Sequence, residues 1–301
     1  MAGWSAVVPG VDGASRSFAE SLSRLLGARL CSVKWKSFPD GEEYVRIEGC
    51  IGRGDNAVVV QTMARPQSSS LVYSMLLADA ALNMGARRLA LVAPYMAFAR
   101  QDRVFLSGEP VSVRTVMKAL YASGYDVMVT VEIHKEESLR FFPGRAASIY
   151  PYLKLAEAAG VRCPGHVVVA PDRGALPRVL KLAEALGCRA GYMEKERDRV
   201  TGEVRLKAVN VDPRGSRAVI VDDIISTGGT MALAASSLRS LGATGVIALV
   251  AHYLGLEGVS SKLRSSGVDG VFAANTLPPV DEGYVNYVDV SSLVADALSS
   301  I

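Results

Sequence analysis

The chain has 301 residues, of which 50% are hydrophobic, enough apolar material for the cores of two domains of ordinary size. The formal net charge is only +3, from 33 basic and 30 acidic residues, and no dense basic tract is present, which argues against a nucleic acid polymer as partner. The N-terminus lacks the basic and long apolar regions of a signal peptide, and charged and polar residues interrupt the apolar stretch 71–99, so no membrane span is expected.

The cysteines point to a reducing compartment. They lie far apart in the sequence, at Cys31, Cys50, Cys163 and Cys188, and form no C-x-x-C pair. Thiols that remain reduced are typical of cytoplasmic proteins. The sequence therefore predicts a soluble, cytoplasmic protein.

Short β-branched runs alternate with helical patterns along most of the chain, which is typical of parallel βαβ units. Strands are predicted at 5–11, 56–62, 88–94, 126–133, 166–171, 217–223, 245–253 and 269–276. The helices predicted between them include 68–84, 112–122, 152–159, 176–186 and 230–241, and several are followed by a glycine suited to a C-terminal cap. The sequence therefore predicts an α/β fold with mostly parallel sheets flanked by helices.

Three segments divide or interrupt this pattern. A Pro and a Gly in the segment 141–149 predict a domain boundary, and hence two similar α/β domains at 1–145 and 146–301. The segment 36–49 contains a Pro-Asp-Gly turn and alternating side chains, which predict an antiparallel hairpin at the surface. The charged run 193–207 predicts a second, mobile hairpin or flap.

The stretch AVIVDDIISTGGTMALAA, residues 218–235, carries the strongest functional signal. Asp222 and Asp223 end a buried strand, at the edge where open α/β sheets bind ligands. The small residues that follow allow backbone N–H groups to surround an anion at the start of the next helix. They are Ser226, Thr227, Gly228, Gly229 and Thr230. Carboxylates beside a phosphate cradle suit sugar hydroxyls, so a sugar phosphate site is predicted; the alternative is a helix cap followed by an ordinary turn.

This stretch resembles the phosphoribosyl-diphosphate binding signature shared by phosphoribosyltransferases and the ribose-phosphate diphosphokinase family, also called PRPP synthetases. Only the second family accounts for the first half of the chain, because its motifs recur here in the same order and spacing. They are FPDGE (38–42), APYMAFARQDR (93–103), GEPVS (108–112), EIH (132–134), FF (141–142), PDRG (171–174) and the basic flap 194–199. The resemblance implies two domains of phosphoribosyltransferase-like type, and transfer of the β,γ-diphosphoryl group of ATP to the C1 hydroxyl of ribose 5-phosphate.

The resemblance assigns ATP binding to the first half of the chain. The residues concerned are Phe38, Asp40, Glu42, Arg100, Gln101, Asp102 and His134. A guanidinium at 100 can stack on a purine while the neighbouring amide and carboxylate contact its polar edge. The alternatives are a solvated charged loop at 100–102 and a hydrophobic plug at Phe38. In the family the 38–42 hairpin enters a neighbouring subunit, which implies a homo-oligomer of at least two chains.

The resemblance also implies Mg²⁺. His134, Asp172 and Glu132 fall on metal-associated positions, and Glu132 is a departure because the family usually has Asp there. The other two histidines, His166 and His252, are interpreted as structural residues.

The flap is implied to be catalytic. Lys195 and Arg197 lie two residues apart and so face one side of an extended strand. By resemblance they close over the β-phosphate and stabilise its transition state. The alternative is a solvated hairpin. Ser226 is a second departure, because many family members have an acidic residue there, but its hydroxyl still suits phosphate.

Two other functions stay open. A phosphoribosyltransferase would use the loop 222–230 to consume the diphosphate, but this leaves the first half of the chain unexplained. A non-catalytic regulatory relative would bind nucleotides and assemble with an active enzyme. That alternative gives no use to Lys195, Arg197, His134 and Asp172.

Overall fold

The computed structural model describes residues 3–197, 204–281 and 283–301. The chain divides into two compact units. The first contains the residues up to Tyr150 together with Asn275–Pro278 and Asp289–Ile301, and the second contains Pro151–Ala274 and Pro279–Val288. The C-terminal segment thus belongs to the first unit, unlike the division at residue 145 expected from sequence, because the last helix packs against elements of that unit. Within the described ranges, no helix is long and apolar enough to cross a membrane.

The first unit is built on a six-stranded parallel sheet, with a separate two-stranded hairpin. The strands are β1 (Ala6–Pro9), β2 (Arg29–Leu30), β3 (Ser32–Ser37), β4 (Glu43–Glu48), β5 (Asn56–Val60), β6 (Arg88–Ala93), β7 (Val127–Val131) and β8 (Arg145–Ile149). The sheet has the order β2-β1-β5-β6-β7-β8, and β3 pairs with β4. Strands β1, β5 and β7 are buried along their whole length, as expected when helices cover both faces of a parallel sheet.

The second unit is built on a seven-stranded sheet with the order β11-β10-β9-β12-β13-β14-β15. Its strands are β9 (His166–Ala170), β10 (Arg189–Arg197), β11 (Val204–Val209), β12 (Arg217–Ile225), β13 (Gly245–Tyr253), β14 (Gly270–Ala274) and β15 (Val285–Val288). All neighbours are parallel except β10 and β11. The core lies around β12 and β13, and all nine residues of β13 are buried.

Helices connect the strands in both units. In the first unit they are α1 (Gly13–Leu26), α2 (Gln67–Asn83), α3 (Ser112–Ala122), a short 3₁₀ helix (Glu136–Phe141) and the C-terminal α8 (Ser291–Ser300). In the second unit they are α4 (Tyr152–Ala158), α5 (Leu176–Leu186), α6 (Gly229–Ser240) and α7 (Val259–Ser265). The predicted α/β fold with mostly parallel sheets is confirmed, and the predicted strands and helices agree with these bounds within a few residues.

The segment 141–149, where a domain boundary is predicted, contains a strand and lies just before the division between Tyr150 and Pro151. β8 occupies its second half and forms the edge of the first sheet. The Arg145 N–H donates to the carbonyl of Asp126, 3.0 Å away, at the point where the strand begins. A side chain at Gly144 would collide with that same carbonyl, so the glycine permits close approach rather than flexibility.

The cysteines correct a second expectation. Cys31 and Cys50 form a disulfide at the base of the β3–β4 hairpin, and Cys163 and Cys188 form another at the starts of β9 and β10. Strand pairing brings residues distant in sequence together, with Cα atoms 5.3 and 5.4 Å apart. The cysteines therefore give no support to a reducing compartment.

Candidate active site

β12 brings two carboxylates to the ligand-binding edge of the second sheet. It lies between β9 and β13, and Asp222 and Asp223 follow its buried segment. The hydroxyl of Tyr152 donates to the Asp222 carbonyl at 2.8 Å, which fixes the strand at this point. The structure therefore places both predicted acids at the carboxyl end of a central strand, where α/β sheets bind ligands.

The loop after these acids ends at the start of α6. Gly228 has a left-handed backbone, φ 72°, and an added Cβ would lie 3.1 Å from a methyl group of Val259, so both conformation and space require glycine. No side chain caps the first turn of α6 in the described structure. The backbone N–H groups of that turn are therefore available to an anion, and the anion site at this loop stays a prediction.

Arg178 is a component of the site that the sequence pattern did not indicate. It lies in the first turn of α5, and its Nη1 atom is 3.0 Å from Oδ1 of Asp222 and 3.4 Å from Oδ1 of Asp223. Only 12% of the Arg178 side chain is exposed, against 16% and 8% for the two acids. The cation is separated from the acids by more than forty residues in sequence, so no local motif predicts the contact.

The environment of Asp222 disfavours its charge. Burial raises the pKa of Asp222 well above its usual range, the neighbouring Asp223 raises this pKa further, and Arg178 opposes both effects. The Asp223 N–H also donates to Oδ1 of Asp222 at 3.0 Å. Both carboxyl groups offer acceptor oxygens at this edge, which favours ligand groups that donate hydrogen bonds.

Two further contacts shape this edge of the second unit. Asp172 follows β9, and its Oδ1 accepts from the backbone N–H groups of Gly174 at 2.9 Å and Ala175 at 3.3 Å, which orients the carboxylate. The Nζ atom of Lys262, in α7, donates to the Thr227 carbonyl at 3.0 Å and holds the phosphate loop from the side. Lys262 is a second residue that sequence motifs did not indicate.

The predicted flap is present as the antiparallel pair β10–β11. Lys195 lies opposite Leu206 and Arg197 opposite Val204, and the register shifts between Glu194 and Lys195. Residues 198–203 lie outside the described part of the chain, and so do the side chains of Lys195 and Arg197. Their catalytic role therefore stays a prediction.

The base of the flap is attached to the turn that follows β9. Arg173 forms an ion pair with Glu194, and its guanidinium carbon lies 5.4 Å from the centre of the Tyr192 ring. The sequence motif PDRG thus contacts the first strand of the flap.

The proposed purine-binding loop lies between β6 and α3 in the first unit. Arg100 is exposed, whereas Gln101 and Asp102 are half-buried. The Ser112 hydroxyl donates to the side-chain carbonyl of Gln101 at 2.5 Å, which orients the amide. Phe98, just before this loop, has φ 62°, a strained conformation for a residue with a side chain, and such strain is concentrated at functional sites.

The β3–β4 hairpin presents Phe38 to solvent. The ring is 39% exposed, packs edge-on against Tyr44 at 6.1 Å, and lies under the Lys36 ammonium at 4.5 Å. Asp40 and Glu42 are both exposed in the turn. An exposed ring at a hairpin turn does not fill a core, so the alternative of a hydrophobic plug loses its support.

The histidines have different environments. Glu132 and His134 follow β7 and are half-buried, and Glu132 has φ 38°. His252 is buried inside β13 with 4% of its surface exposed, and the Nδ1 atom of His166 lies 2.7 Å from the carbonyl of Arg162. These two environments agree with structural roles for His166 and His252.

Parallel sheets with a glycine-containing phosphate loop after a paired-acid strand define the class: a phosphoribosyltransferase-type α/β protein. Residues 11–124 match the family model of the N-terminal domain of ribose phosphate pyrophosphokinase, and residues 164–273 match that of the phosphoribosyl transferase domain. The chain therefore belongs to the ribose-phosphate pyrophosphokinase family and is a diphosphotransferase.

Individual relatives agree with this assignment. The chain is 50% identical to the ribose-phosphate pyrophosphokinase of Aeropyrum pernix over 297 residues, 98% of this chain and 96% of the relative. It is 40% identical to that of Saccharolobus solfataricus over 286 residues, 95% and 98% of the two chains. A crystal structure of phosphoribosylpyrophosphate synthetase from Mycobacterium smegmatis matches with a TM-score of 0.86 and 26% identity over 99% of this chain and 98% of that one. The family predicted from the motifs is confirmed, and the match of the first half removes the transferase alternative.

Proposed function

We propose that this enzyme converts ATP and ribose 5-phosphate into AMP and 5-phosphoribosyl 1-diphosphate. The observation that carries the proposal is the edge of the second sheet, where Asp222 and Asp223 precede the uncapped N-terminus of α6. This edge offers acceptors for hydroxyls beside donors for a phosphate. A sugar phosphate has both groups.

The two halves of the sugar phosphate contact different parts of this edge. The backbone N–H groups and hydroxyls of the loop bind the 5-phosphate, and Lys262 keeps the loop in place through the Thr227 carbonyl. The contributing residues are Ser226, Thr227, Gly228, Gly229 and Thr230. Asp222 and Asp223 accept hydrogen bonds from the ribose hydroxyls.

ATP binds through the first unit. Arg100 stacks on the purine, Gln101 and Asp102 contact its polar edge, and His134 binds a phosphate oxygen. The exposed Phe38 covers the adenine base of the ATP that is bound to a neighbouring chain, and Asp40 and Glu42 lie beside it. Because two chains then complete one site, the enzyme is a homo-oligomer of at least two chains. The solvent exposure of Phe38 and its position at a hairpin turn support this role. A solution mass equal to that of one chain would contradict the shared site.

The reaction is an in-line displacement at phosphorus. The C1 oxygen of ribose 5-phosphate bonds to the β-phosphorus of ATP, the bond to the oxygen that bridges the α- and β-phosphorus breaks, and AMP leaves with that oxygen. The C1 hydroxyl proton is released. Lys195 and Arg197, in strand β10 of the flap, stabilise the charge that develops on the transferred group.

Each unit has a predicted metal position with a side chain that suits Mg²⁺. Glu132 and Asp172 are carboxylates, the ligand type that Mg²⁺ prefers, and Mg²⁺ sites on nucleotides use one or two carboxylates together with phosphates and water. When bound, Mg²⁺ neutralises charge on the diphosphate oxygens. The imidazole of His134 is a weaker ligand for Mg²⁺ and contributes chiefly by contacting phosphate.

We further propose that the enzyme works in the cytoplasm, where both proposed substrates are produced. Structural disulfides are uncommon in reducing compartments, so this location is inferred from the substrates and not from the cysteines.

The proposal predicts that Asp223→Ala impairs the use of ribose 5-phosphate. The variant loses an acceptor on the sugar side, so the KM for ribose 5-phosphate should rise by about tenfold or more, while the Kd for ATP changes by less than about twofold. Steady-state kinetics and calorimetry measure the two quantities. Equal loss of affinity for both substrates would contradict the assignment of Asp223 to the sugar.

A further inference from the structure

Arg178 has no role in the chemistry described so far, although it is the cation nearest the sugar-binding acids in the described contacts. Its side chain leaves α5 and ends between the two acids of β12, with most of its surface buried. A guanidinium remains charged at all physiological pH values, and removing it from water is costly. The contacts that Arg178 makes with the two acids must therefore offset the free-energy cost of removing its charge from water.

The geometry of the contact is specific. One nitrogen, Nη1, approaches Oδ1 of Asp222 at 3.0 Å and Oδ1 of Asp223 at 3.4 Å. A single donor shared by two carboxylates draws one oxygen of each towards the same point. This shared contact restricts the rotation of both carboxylates.

The charges of Arg178 and the two acids are compatible with the binding of sugar hydroxyls. The guanidinium limits the repulsion between the two acids, and their carboxyl oxygens remain acceptors for hydroxyl donors. Without Arg178 the acids would repel each other, and Asp222, already disfavoured as an anion by burial, would be still harder to keep ionised.

We propose that Arg178 is a positioning residue that orients Asp222 and Asp223 towards the vicinal hydroxyls and so sets the preference for ribose over 2-deoxyribose. The inference rests on the proposed function of the acids. A carboxylate that hydrogen-bonds a sugar hydroxyl discriminates against a sugar that lacks this hydroxyl, because that hydrogen bond is lost. Arg178 therefore acts on specificity through the acids rather than through contact with the sugar.

A purely structural role makes a different prediction. If the ion pair only attaches α5 to β12, its loss lowers stability and impairs both sugars to the same extent. The ratio of kcat/KM for ribose 5-phosphate over 2-deoxyribose 5-phosphate separates the two roles, because a general loss of folded enzyme cancels from this ratio.

The experiment compares Arg178→Met and Arg178→Lys with the wild type, with AMP formation measured for each sugar phosphate. We expect the preference for ribose 5-phosphate to fall by about tenfold or more in Arg178→Met, mainly through slower use of ribose 5-phosphate. Lysine also supplies one charged nitrogen, so Arg178→Lys should recover part of the preference.

Arg239→Met is the matched control. Arg239 also belongs to the second unit and forms an ion pair with Asp269, at the start of β14 rather than at the sugar site. Its loss should lower thermal stability and leave the sugar preference unchanged.

The outcomes are distinct. An unchanged preference in Arg178→Met, or an equal loss for both sugars, would overturn the inference while the wild type remains active. Should Arg178→Met fail to fold, the uncharged variant Arg178→Gln takes its place, and a wild-type sugar preference in that folded variant would also overturn the inference. Failure of the proposed function is recognised separately, because the wild type would then form no AMP that depends on ribose 5-phosphate.

Discussion

The position of the two acids in the sheet lowers the free energy of unfolding at neutral pH. Asp222 is buried next to Asp223, and both features raise the pKa of Asp222 in the folded state. The folded protein therefore binds the Asp222 proton more tightly than the unfolded chain does. Between the usual pKa of Asp, about 3.9, and the raised folded value, the free energy of unfolding consequently falls as pH rises.

This sign leads to a stability prediction for Asp222→Asn. The amide keeps the shape of the side chain without its charge, so the variant should unfold at a higher temperature than the wild type near pH 7, by about 2–4 °C. The difference should shrink as pH is lowered towards about 4, because the wild-type acid then becomes neutral as well. Thermal scans at a fixed rate and several pH values measure it. A lower unfolding temperature at pH 7 would show that the charge of Asp222 stabilises the fold.

At the scale of single residues, the sequence indicated the acids and glycines of the candidate site but not the side chains from other helices that contact them. Asp222, Asp223 and Gly228 were predictable because they stand together in one short stretch with a known local chemistry. Arg178 and Lys262 were not, since each reaches the site from another helix. Pairing between distant side chains depends on how helices pack on the sheet, and a single sequence contains no periodic pattern for it.

Among the elements, the β10–β11 hairpin connects structure to catalysis most directly. Its register shifts at Glu194/Lys195, so the strand changes its pairing where the candidate catalytic residues begin. Arg173 attaches Glu194 to the turn after β9, before this shift. The hairpin therefore has an anchored base, with Lys195 and Arg197 beyond it.

We predict that Lys195→Ala lowers kcat by about 10²–10³ while the affinities for ATP and ribose 5-phosphate stay nearly intact, because the lysine acts on charge that develops in the transition state. Arg197→Ala should behave alike, and the double variant should lose less than the product of the two effects. Steady-state kinetics with calorimetric binding tests this. A near-normal kcat with a raised KM for ATP would mean that Lys195 only anchors the nucleotide.

The predicted elements succeeded where burial gives a strong pattern. The apolar runs of β5, β9 and β13 identify central strands, and α3 and α5 have the predicted bounds. Peripheral elements were harder to predict. β8 contains a mixed sequence, RAASI, and β2 has only two residues, so neither shows the long apolar run of a central strand.

At the scale of the molecule, two parallel sheets of related design provide different chemistry at their carboxyl ends. The first unit presents the candidate ATP loop after β6, and the second presents the sugar phosphate loop after β12. The C-terminal helix α8 belongs to the first unit, which the alternation of strands and helices along the sequence did not reveal. The order of the motifs along the sequence predicted the family. The division of the chain into units was not predictable in the same way, because it depends on how the last helix packs.

The most direct test of the account is AMP formation by the purified enzyme with ATP, Mg²⁺ and ribose 5-phosphate. We predict that AMP appears only when the sugar phosphate is present, in equal amounts with 5-phosphoribosyl 1-diphosphate, and that chelation of Mg²⁺ stops the reaction. A regulatory relative would bind ATP without forming AMP. AMP formation that does not depend on ribose 5-phosphate, or none with the folded wild type, would contradict the account.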